Sequence, residues 1–386
     1  MARGSIRKHE RDTGVSYEVV VDLGVDPVTG KRRQRSKSFK TKKEAQAALT
    51  QWLREIDTGM AVDRSVQTVG EMLAYWLDTH ARPRLRAKTV YDYEQTITKH
   101  ILPDLGALTM QKLSSDRLQK FYGDKQAAGV GVRTIRLCHL HIAQALKQAL
   151  KLGLVSRNVA ALVTQPQEAT REMQTWSEEE AQRFLAVAAQ SSHGPIWAMA
   201  LSTGLRRGEL LGLRWRDVDL DARVLQVRQT VGALRGKAEI KPPKTKSSRR
   251  EVPLPPPVVA LLKKHKRWQN ERRLALGEAW QDYGLVFPSA IGTPINPDNL
   301  TRDFHRLVQL AGVPRIRIHD QRHTFVTLTL ARGANLKAVS EAIGHSDVGI
   351  TLGTYAHVLR EQRADVADKA SAALFPPPPE DKKEAL

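Results

Sequence analysis

The sequence predicts a multidomain, mainly α-helical protein with small β parts. Its 386 residues exceed the usual size of a domain with a single hydrophobic core. Of these residues 41% are apolar, which is typical of a chain that folds. The local pattern also changes along the chain, from strand-forming residues to helical stripes of apolar residues and then to a mixture of both. We therefore expect three domains, over residues 1–60, 66–165 and 174–386.

The first domain is predicted to be a small β-sheet packed on one helix. The segment Tyr17–Val21 is rich in β-forming residues, and a second strand is expected over Arg33–Phe39, beyond a turn with Pro and Gly. Thr41 and Glu44 have the spacing of a capping box, which predicts that a helix begins there. The apolar face of that helix comprises Ala45, Leu49, Trp52, Leu53 and Ile56.

The second domain is predicted to be entirely helical. Apolar residues at helical spacing form one stripe over Val69–Leu77, a second over Tyr93–Ile101 that stops at Pro103, and a third over Ile135–Ala149. The single cysteine of the chain, Cys138, lies on the third stripe, so we interpret it as core packing. One cysteine also excludes an internal disulfide framework.

The third domain is predicted to mix helices with short strands. Ser177 and Glu180 form another capping box, and the nearly apolar segment Ile196–Leu205 is expected to be a buried helix. Strand-like patterns follow over Val218–Val231 and again over Ile240–Val252, where a strand pair would flank a basic loop. Helical periodicity then returns.

The charge of the chain indicates a polyanionic partner, most simply double-stranded DNA. Lys and Arg number 61 against 41 Asp and Glu, for a formal net charge of +20. Residues 31–43 hold eight cations and no anion, which favours a sheet face that binds phosphates over a merely solvated hairpin. The cations that we expect to contact DNA are Lys31, Arg32, Arg33, Arg35, Lys37, Lys88, Arg133 and Lys246.

Several classes of chemistry are excluded by missing motifs. The sequence has no GxxxxGK[ST], no GxGxxG after a strand, no HExxH, no cysteine-based zinc site and no acidic cluster for two Mg²⁺ ions. No run of about 18 apolar residues occurs, so we expect no membrane span and a cytoplasmic, DNA-associated protein. An enzyme that cleaves phosphodiester bonds without metal, ATP or any other cofactor needs cations that bind the phosphate oxygens, which Arg provides. It also needs a side-chain nucleophile such as Tyr.

The third domain carries such residues in a fixed order. The segment TGLRRGEL at 203–210 holds an Arg after a glycine turn and an acid three residues later, and HDQRHT at 319–324 holds a His and an Arg three residues apart. A basic loop lies between these segments, and GHS and TYAH follow them. The candidate catalytic residues are Arg206, Lys244, His319, Arg322, His345 and Tyr355, with Glu209 in support.

This order of residues and their flanking sequences resembles the tyrosine recombinase (phage integrase) family, over nearly the whole chain. The resemblance implies an arm-site DNA-binding domain over 1–60, a core-site DNA-binding domain over 66–165 and a catalytic domain over 174–386. Its implied roles are as follows: Arg206, Arg322 and His345 bind one DNA phosphate, Tyr355 attacks it, His319 accepts the phenolic proton and Lys244 protonates the leaving 5′ oxygen.

The activity implied by the resemblance is site-specific recombination through a 3′-phosphotyrosyl intermediate. The N-terminal domain is typical of integrases that insert and excise mobile elements. The family also implies a homotetramer on paired core and arm sites, a Holliday junction, and an excisionase or a host DNA-bending protein as a partner. Two alternatives stay open: relaxation of DNA like a type IB topoisomerase, and a catalytically silent architectural DNA-binding protein.

Some residue assignments have rivals within the same motif. Arg207 competes with its neighbour Arg206, although the position after the glycine turn favours Arg206. Lys241 and Lys246 compete with Lys244 in one basic stretch. Glu209 is interpreted as a buried support that orients an Arg. His323 is expected to face elsewhere on its helix and to be structural.

Overall fold

The computed structural model describes most of the chain, which divides into two compact units, residues 1–170 and 171–386. The described residues are 4–11, 14–25, 32–57, 67–168, 173–242, 249–344 and 348–361, with positions 371 and 374. Mainly helical architecture with small antiparallel sheets confirms the predicted fold class.

The N-terminal sheet has three antiparallel strands in the order β1-β2-β3, and one helix packs on it. The elements are β1 (Gly4–Arg11), β2 (Gly14–Val25), β3 (Arg32–Phe39) and α1 (Lys42–Asp57). Val19 and Val21 of the middle strand meet Ala45 and Trp52 of the helix in the core. Both strands and the capping box were predicted, but β1 was missed, because its sequence GSIRKHER has little apolar alternation.

The rest of the first unit is helical. Its α-helices are α2 (Val69–Trp76), α3 (Ala87–Thr96), α4 (Leu102–Leu105), α5 (Ser115–Ala127) and α6 (Val132–Lys151). π-Helical turns at Leu77–Ala81 and Ile97–Ile101 follow α2 and α3. The predicted stop at Pro103 was wrong: the proline lies in the first turn of α4, where its missing N–H costs nothing.

The three predicted apolar stripes form one core in this helical part. Cys138 is 1% exposed within it, and burial raises the pKa of its thiol to about 11. The interpretation of Cys138 as a packing residue is therefore confirmed.

The second unit combines eight α-helices of more than five residues, counted over the described ranges, with two small sheets. The helices are α7 (Glu178–Ala188), α8 (Gly194–Thr203), α9 (Arg207–Gly212), α10 (Pro256–Leu276), α11 (Pro297–Leu310), α12 (Asp320–Ala331), α13 (Leu336–Ile343) and α14 (Val348–Glu361), of which α9 is the shortest. The strands are β4 (Val218–Asp219), β5 (Val224–Gln226), β6 (Thr230–Leu234), β7 (Lys237–Lys241) and β8 (Glu251–Pro253).

The strand pairing differs from the prediction. Ile240 and Val252 were expected in one strand pair, but β7 pairs with β6, whereas β8 pairs with β5. The tight turn at Gly236 closes the β6–β7 hairpin, and Val252 pairs with the buried Leu225 in the other sheet. No helix in the described ranges is long and apolar enough to cross a membrane.

The core of the second unit fixes the start of α12. Trp176 is 1% exposed, its main-chain N–H donates to Thr324 Oγ1 at 3.2 Å, and its indole N–H donates to Pro314 O at 2.8 Å. The buried helix α8 also packs on α12. These contacts bring the HDQRHT segment beside the end of α8, where the TGLRRGEL segment begins.

Candidate active site

A glycine turn places the first candidate arginine. Gly204 ends α8 in the left-handed region, at φ +61°, and Arg206 then caps the N-terminus of α9. A Cβ atom at Gly204 would come within 2.5 Å of the ring of Phe325, so the turn is restricted to glycine by both its conformation and its packing. The sharp turn also exposes the carbonyl of Gly204, which accepts a hydrogen bond from Arg322 Nη1 at 2.8 Å.

Glu209 is the buried carboxylate of the site. It is 4% exposed and accepts four hydrogen bonds. Oε1 accepts from Arg206 Nη1 at 2.9 Å and Arg250 Nη1 at 3.2 Å, and Oε2 accepts from Arg206 N at 3.0 Å and Arg250 Nη2 at 3.0 Å. Burial opposes ionisation, but the bonds and charges of Arg250 and Arg206 outweigh it and hold the pKa of Glu209 below its usual value.

Three arginines converge on the C-terminal end of α13. Each donates to one of three consecutive main-chain carbonyls there. The pairs are Arg250 Nε with Ala342 O at 2.7 Å, Arg322 Nη2 with Ile343 O, and Arg206 Nη2 with Gly344 O at 3.4 Å. The carbonyl end of a helix attracts cations, so α13 helps to hold the three charges together.

The two predicted phosphate-binding arginines differ in exposure. The side chain of Arg206 is 35% exposed, whereas Arg322 is 3% exposed. Burial, and then repulsion by the charge of Arg206, lower the pKa of Arg322 to about 9. Two guanidinium groups that repel each other create a site where a bound anion would be stabilised by both.

The candidate nucleophile is buried against a histidine. Tyr355 is 1% exposed, its Oη lies 2.5 Å from Nδ1 of His323, and α14 is kinked at Tyr355. Burial raises the pKa of Tyr355 to about 12, and the charge of Arg322 acts in the opposite direction. The expectation that His323 faces away from the site was wrong. His323 follows Arg322 directly on α12, and its ring bonds to Tyr355 of α14.

His319 stands at the N-terminus of α12, on the exposed side of the site. Desolvation by the surrounding protein and the charges of Arg322 and Arg206 lower its pKa. Its ring packs edge-on against that of His323, with centroids 5.5 Å apart. His323 therefore lies between His319 and the phenol of Tyr355.

Arg207 and Lys241, the alternatives to Arg206 and Lys244, bond to other parts of the protein. Arg207 donates to Pro297 O at 3.1 Å and to Thr301 Oγ1 at the start of α11, and burial lowers its pKa. Lys241 forms an ion pair with Glu239 at 2.8 Å. The predicted Lys244, Lys246 and His345 lie outside the described residues.

Three family models match consecutive parts of the chain. The phage integrase family model matches residues 174–362, the model of the phage integrase N-terminal SAM-like domain matches 68–125, and the arm DNA-binding domain model matches 5–56. Whole-length relatives agree with these matches. A tyrosine recombinase XerC-like protein of Caldanaerobacter subterraneus subsp. tengcongensis is 30% identical over 371 residues, which cover 91% of this chain and 95% of that protein.

The chain belongs to the phage integrase family of tyrosine recombinases. An integrase of Streptomyces ambofaciens is likewise 30% identical, over 93% of this chain and 94% of that protein. The ICEBs1 integrase of Bacillus subtilis is 26% identical over 96% of this chain and all of that protein. The protein is thus a site-specific recombinase of the integrase type, as the sequence predicted.

Solved structures share the fold. The Tn1549 transposon integrase, solved in complex with transposon right end DNA, superposes with a TM-score of 0.65 at 22% identity, over 79% of this chain and all of that one. A lambda integrase dimer bound to a core site has a TM-score of 0.57 at 17% identity, over 74% of this chain and 97% of that one. The predicted recombinase fold is confirmed by both.

Two residues of this integrase site were missed by the sequence reasoning. Arg250 was passed over in favour of the lysines of the preceding loop, although it stands two residues before the buried Val252 and so shares a strand face with it. His323 was set aside on its helical position. Arg250 bonds to Glu209, and His323 bonds to Tyr355. In both pairs the two residues are far apart in the sequence.

The predicted DNA contacts outside the candidate active site are exposed where the structure describes them, except Arg35, which is half-buried. Arg35 lies 4.1 Å over the ring of Trp52, and Lys37 lies 5.4 Å from the ring centre of Phe39, on the sheet of the integrase's N-terminal region. The others pair with acids or stand exposed. Arg32 pairs with Asp22, Lys88 pairs with Asp92, Arg133 is exposed, and Lys31 and the side chain of Arg33 lie outside the described residues.

Proposed function

We propose that this integrase cuts and rejoins DNA through a 3′-phosphotyrosyl intermediate, in order to integrate and excise a mobile element. The observation that carries the proposal is the convergence of Arg206 and Arg322 on the end of α13, with Arg322 within electrostatic range of the Tyr355 phenol. A phosphodiester bound there would relieve the repulsion between the two guanidinium groups. The same contact would stabilise the charge that develops in the transition state.

The nucleophile needs a change of position before it reacts. Tyr355 is bonded to His323 and has a raised pKa, so attack requires the phenol to leave this contact and to lose its proton. The backbone of α14 is non-helical at Tyr355, and we propose that it acts as the hinge for that movement. We propose that DNA binding, which adds a negative charge beside Arg322, accompanies it.

The proton transfers are assigned to the residues that flank the arginines. His319, on the exposed side and next to His323, would accept the phenolic proton. Lys244 would protonate the leaving 5′ oxygen, and His345, which follows the α13 carbonyl cluster in sequence, would donate a further hydrogen bond to the phosphate. The covalent ester conserves the energy of the broken bond, so we expect neither ATP nor metal to be required.

We propose that the first unit binds the attachment sites in the cytoplasm. The N-terminal sheet would bind arm sites through its cations, and the helical part would bind core sites. Strand exchange between two duplexes would involve four protomers and a Holliday junction. An excisionase or a DNA-bending protein would set the direction of the reaction.

The experiment compares the element's own end sequences with random plasmid DNA. The purified chain is incubated with nicked duplexes and with supercoiled plasmids of each kind, with and without EDTA. Covalent adducts on the duplexes are resolved on denaturing gels, and junctions and relaxed plasmid are resolved on native gels. We expect adducts and junctions on the end sequences in both conditions. Relaxation of plasmid without junctions would contradict the proposal and favour a topoisomerase, binding without adducts would favour an architectural protein, and metal dependence would indicate a nuclease.

A further inference from the structure

Arg250 is a buried cation whose hydrogen bonds all lie within the protein. Its side chain is 8% exposed. Its main-chain carbonyl accepts from Val227 N at 3.0 Å, which fixes its backbone at the start of β8. All three side-chain nitrogens donate, two to Glu209 and one to Ala342 O.

The bonds of Arg250 fill the acceptor capacity of Glu209. An ionised carboxylate accepts about four hydrogen bonds, and Glu209 receives two from Arg250 and two from Arg206. Only Nη1 of the Arg206 guanidinium is therefore bound to Glu209. The remaining contact from this guanidinium to a described residue is the long one, 3.4 Å, with Gly344 O.

The loss of Arg250 would change the geometry of Arg206. Two acceptor positions on Glu209 would become vacant in a buried place, and the Arg206 guanidinium, already bonded to Glu209 through Nη1, is a donor that can fill them. A bidentate Arg206–Glu209 pair is the favoured geometry for these two groups. The guanidinium would then turn inward, away from the solvent to which 35% of its side chain is now open.

We propose that Arg250 is a positioning residue for DNA cleavage: by occupying one side of Glu209 and the end of α13, it keeps the outer edge of Arg206 available to the scissile phosphate. The inference rests on the proposed function, in which Arg206 binds that phosphate. It assigns to Arg250 no contact with DNA.

The test measures single-turnover cleavage of a nicked end-sequence duplex at saturating protein. We expect the rate constant to fall about 10-fold to 100-fold in Arg250→Ala, which is usual when a residue that orients a functional group is lost. Arg250→Lys keeps the charge without the planar fork and should fall in between. The matched control is Arg249→Ala, which removes an exposed neighbouring arginine and should leave the rate constant unchanged.

Two readouts separate positioning from other roles. A merely structural residue would lower the fraction of active protein, which is the amplitude of the reaction, and would leave the rate constant unchanged. A DNA-contacting residue would raise the Kd for the duplex instead. We expect unchanged Kd and a lowered rate constant, and either of the other patterns would overturn the inference.

A second background tests the route through Glu209. A glutamine side chain has one acceptor oxygen, so it cannot form a bidentate pair with the Arg206 guanidinium. Adding Arg250→Ala to the Glu209→Gln variant should therefore lower the rate constant by less than about 2-fold. A further loss as large as in the wild-type background would overturn the inference. Should Arg250→Ala fail to fold, Arg250→Lys carries the same comparison. Absence of adducts with the wild-type chain would instead contradict the proposed function.

Discussion

The cations of the active site and those of the N-terminal sheet are held in opposite ways. Arg250 and Arg322 are buried, and main-chain carbonyls and Glu209 fix their guanidinium groups. The half-buried Arg35 and the exposed Lys37 of β3 instead lie against the rings of Trp52 and Phe39. Both sets carry positive charge, but directional hydrogen bonds fix the first set, whereas the second set lies against aromatic rings.

The difference in geometry separates catalysis from affinity. Fixed charges can stabilise one transition state because they need no reorganisation when charge develops. Surface cations neutralise phosphates of any sequence and release counterions, so they contribute salt-dependent binding. Variants of the two regions should therefore change different quantities.

The largest effect is expected for the proposed nucleophile. Tyr355→Phe removes the attacking oxygen, so covalent adducts on the nicked duplex should disappear entirely, while the Kd for the same DNA stays within about 2-fold because no positive charge is lost. Denaturing gels and a mobility-shift titration measure the two quantities. Adducts that persist in this variant would show that another residue attacks the phosphate.

The next effect separates the two neighbouring arginines of the glycine turn. Arg206→Ala should lower the single-turnover cleavage rate by about 10²-fold to 10³-fold, as the loss of one donor to a developing oxyanion does. Arg207→Lys keeps a cation at the α11 contact and should change that rate far less. The opposite ranking would transfer the phosphate-binding role to Arg207.

A smaller effect is expected for the N-terminal sheet. Lys37→Gln removes one proposed phosphate contact, so the slope of log Kd against log salt on arm-site DNA should fall by about 1, with little change in sequence preference. The rate constant of cleavage at saturating protein should stay unchanged. A slope that does not move would place the DNA on another face of the sheet.

The sequence predicted what depends on neighbours along the chain. Capping boxes at Thr41 and Ser177, the stripes of the helical core and the short motifs around the candidate active-site residues all rest on short spacings. Bonds that join distant segments left no such signal. Arg250 meets Glu209 from 41 positions away, and β8 pairs with β5 across the intervening β6–β7 hairpin, although the sequence suggested a pair of β7 with β8.

The smallest effect concerns two histidines, the buried His141 in the first unit and the half-buried His323 in the second. His141 on α6 is 1% exposed, and within the described residues neither of its ring nitrogens has a hydrogen-bond partner. Burial lowers its pKa to about 4. His323 on α12 has a pKa lowered to about 4 as well, first by burial and then by His319, but it keeps the bond to Tyr355.

Both histidines should make stability depend on pH in the same direction. The unfolded chain binds a proton near pH 6.5 and the folded chain only near pH 4, so their contribution is complete above pH 6.5 and is lost as the pH falls toward 4. Between pH 7 and pH 5 the loss for His141 is on the order of 2 kcal/mol. Amide hydrogen exchange over α6 measures it. His141→Phe should remove most of this pH dependence and His323→Gln should leave it intact, whereas an equal slope in wild type and His141→Phe would mean that His141 is not the titrating group.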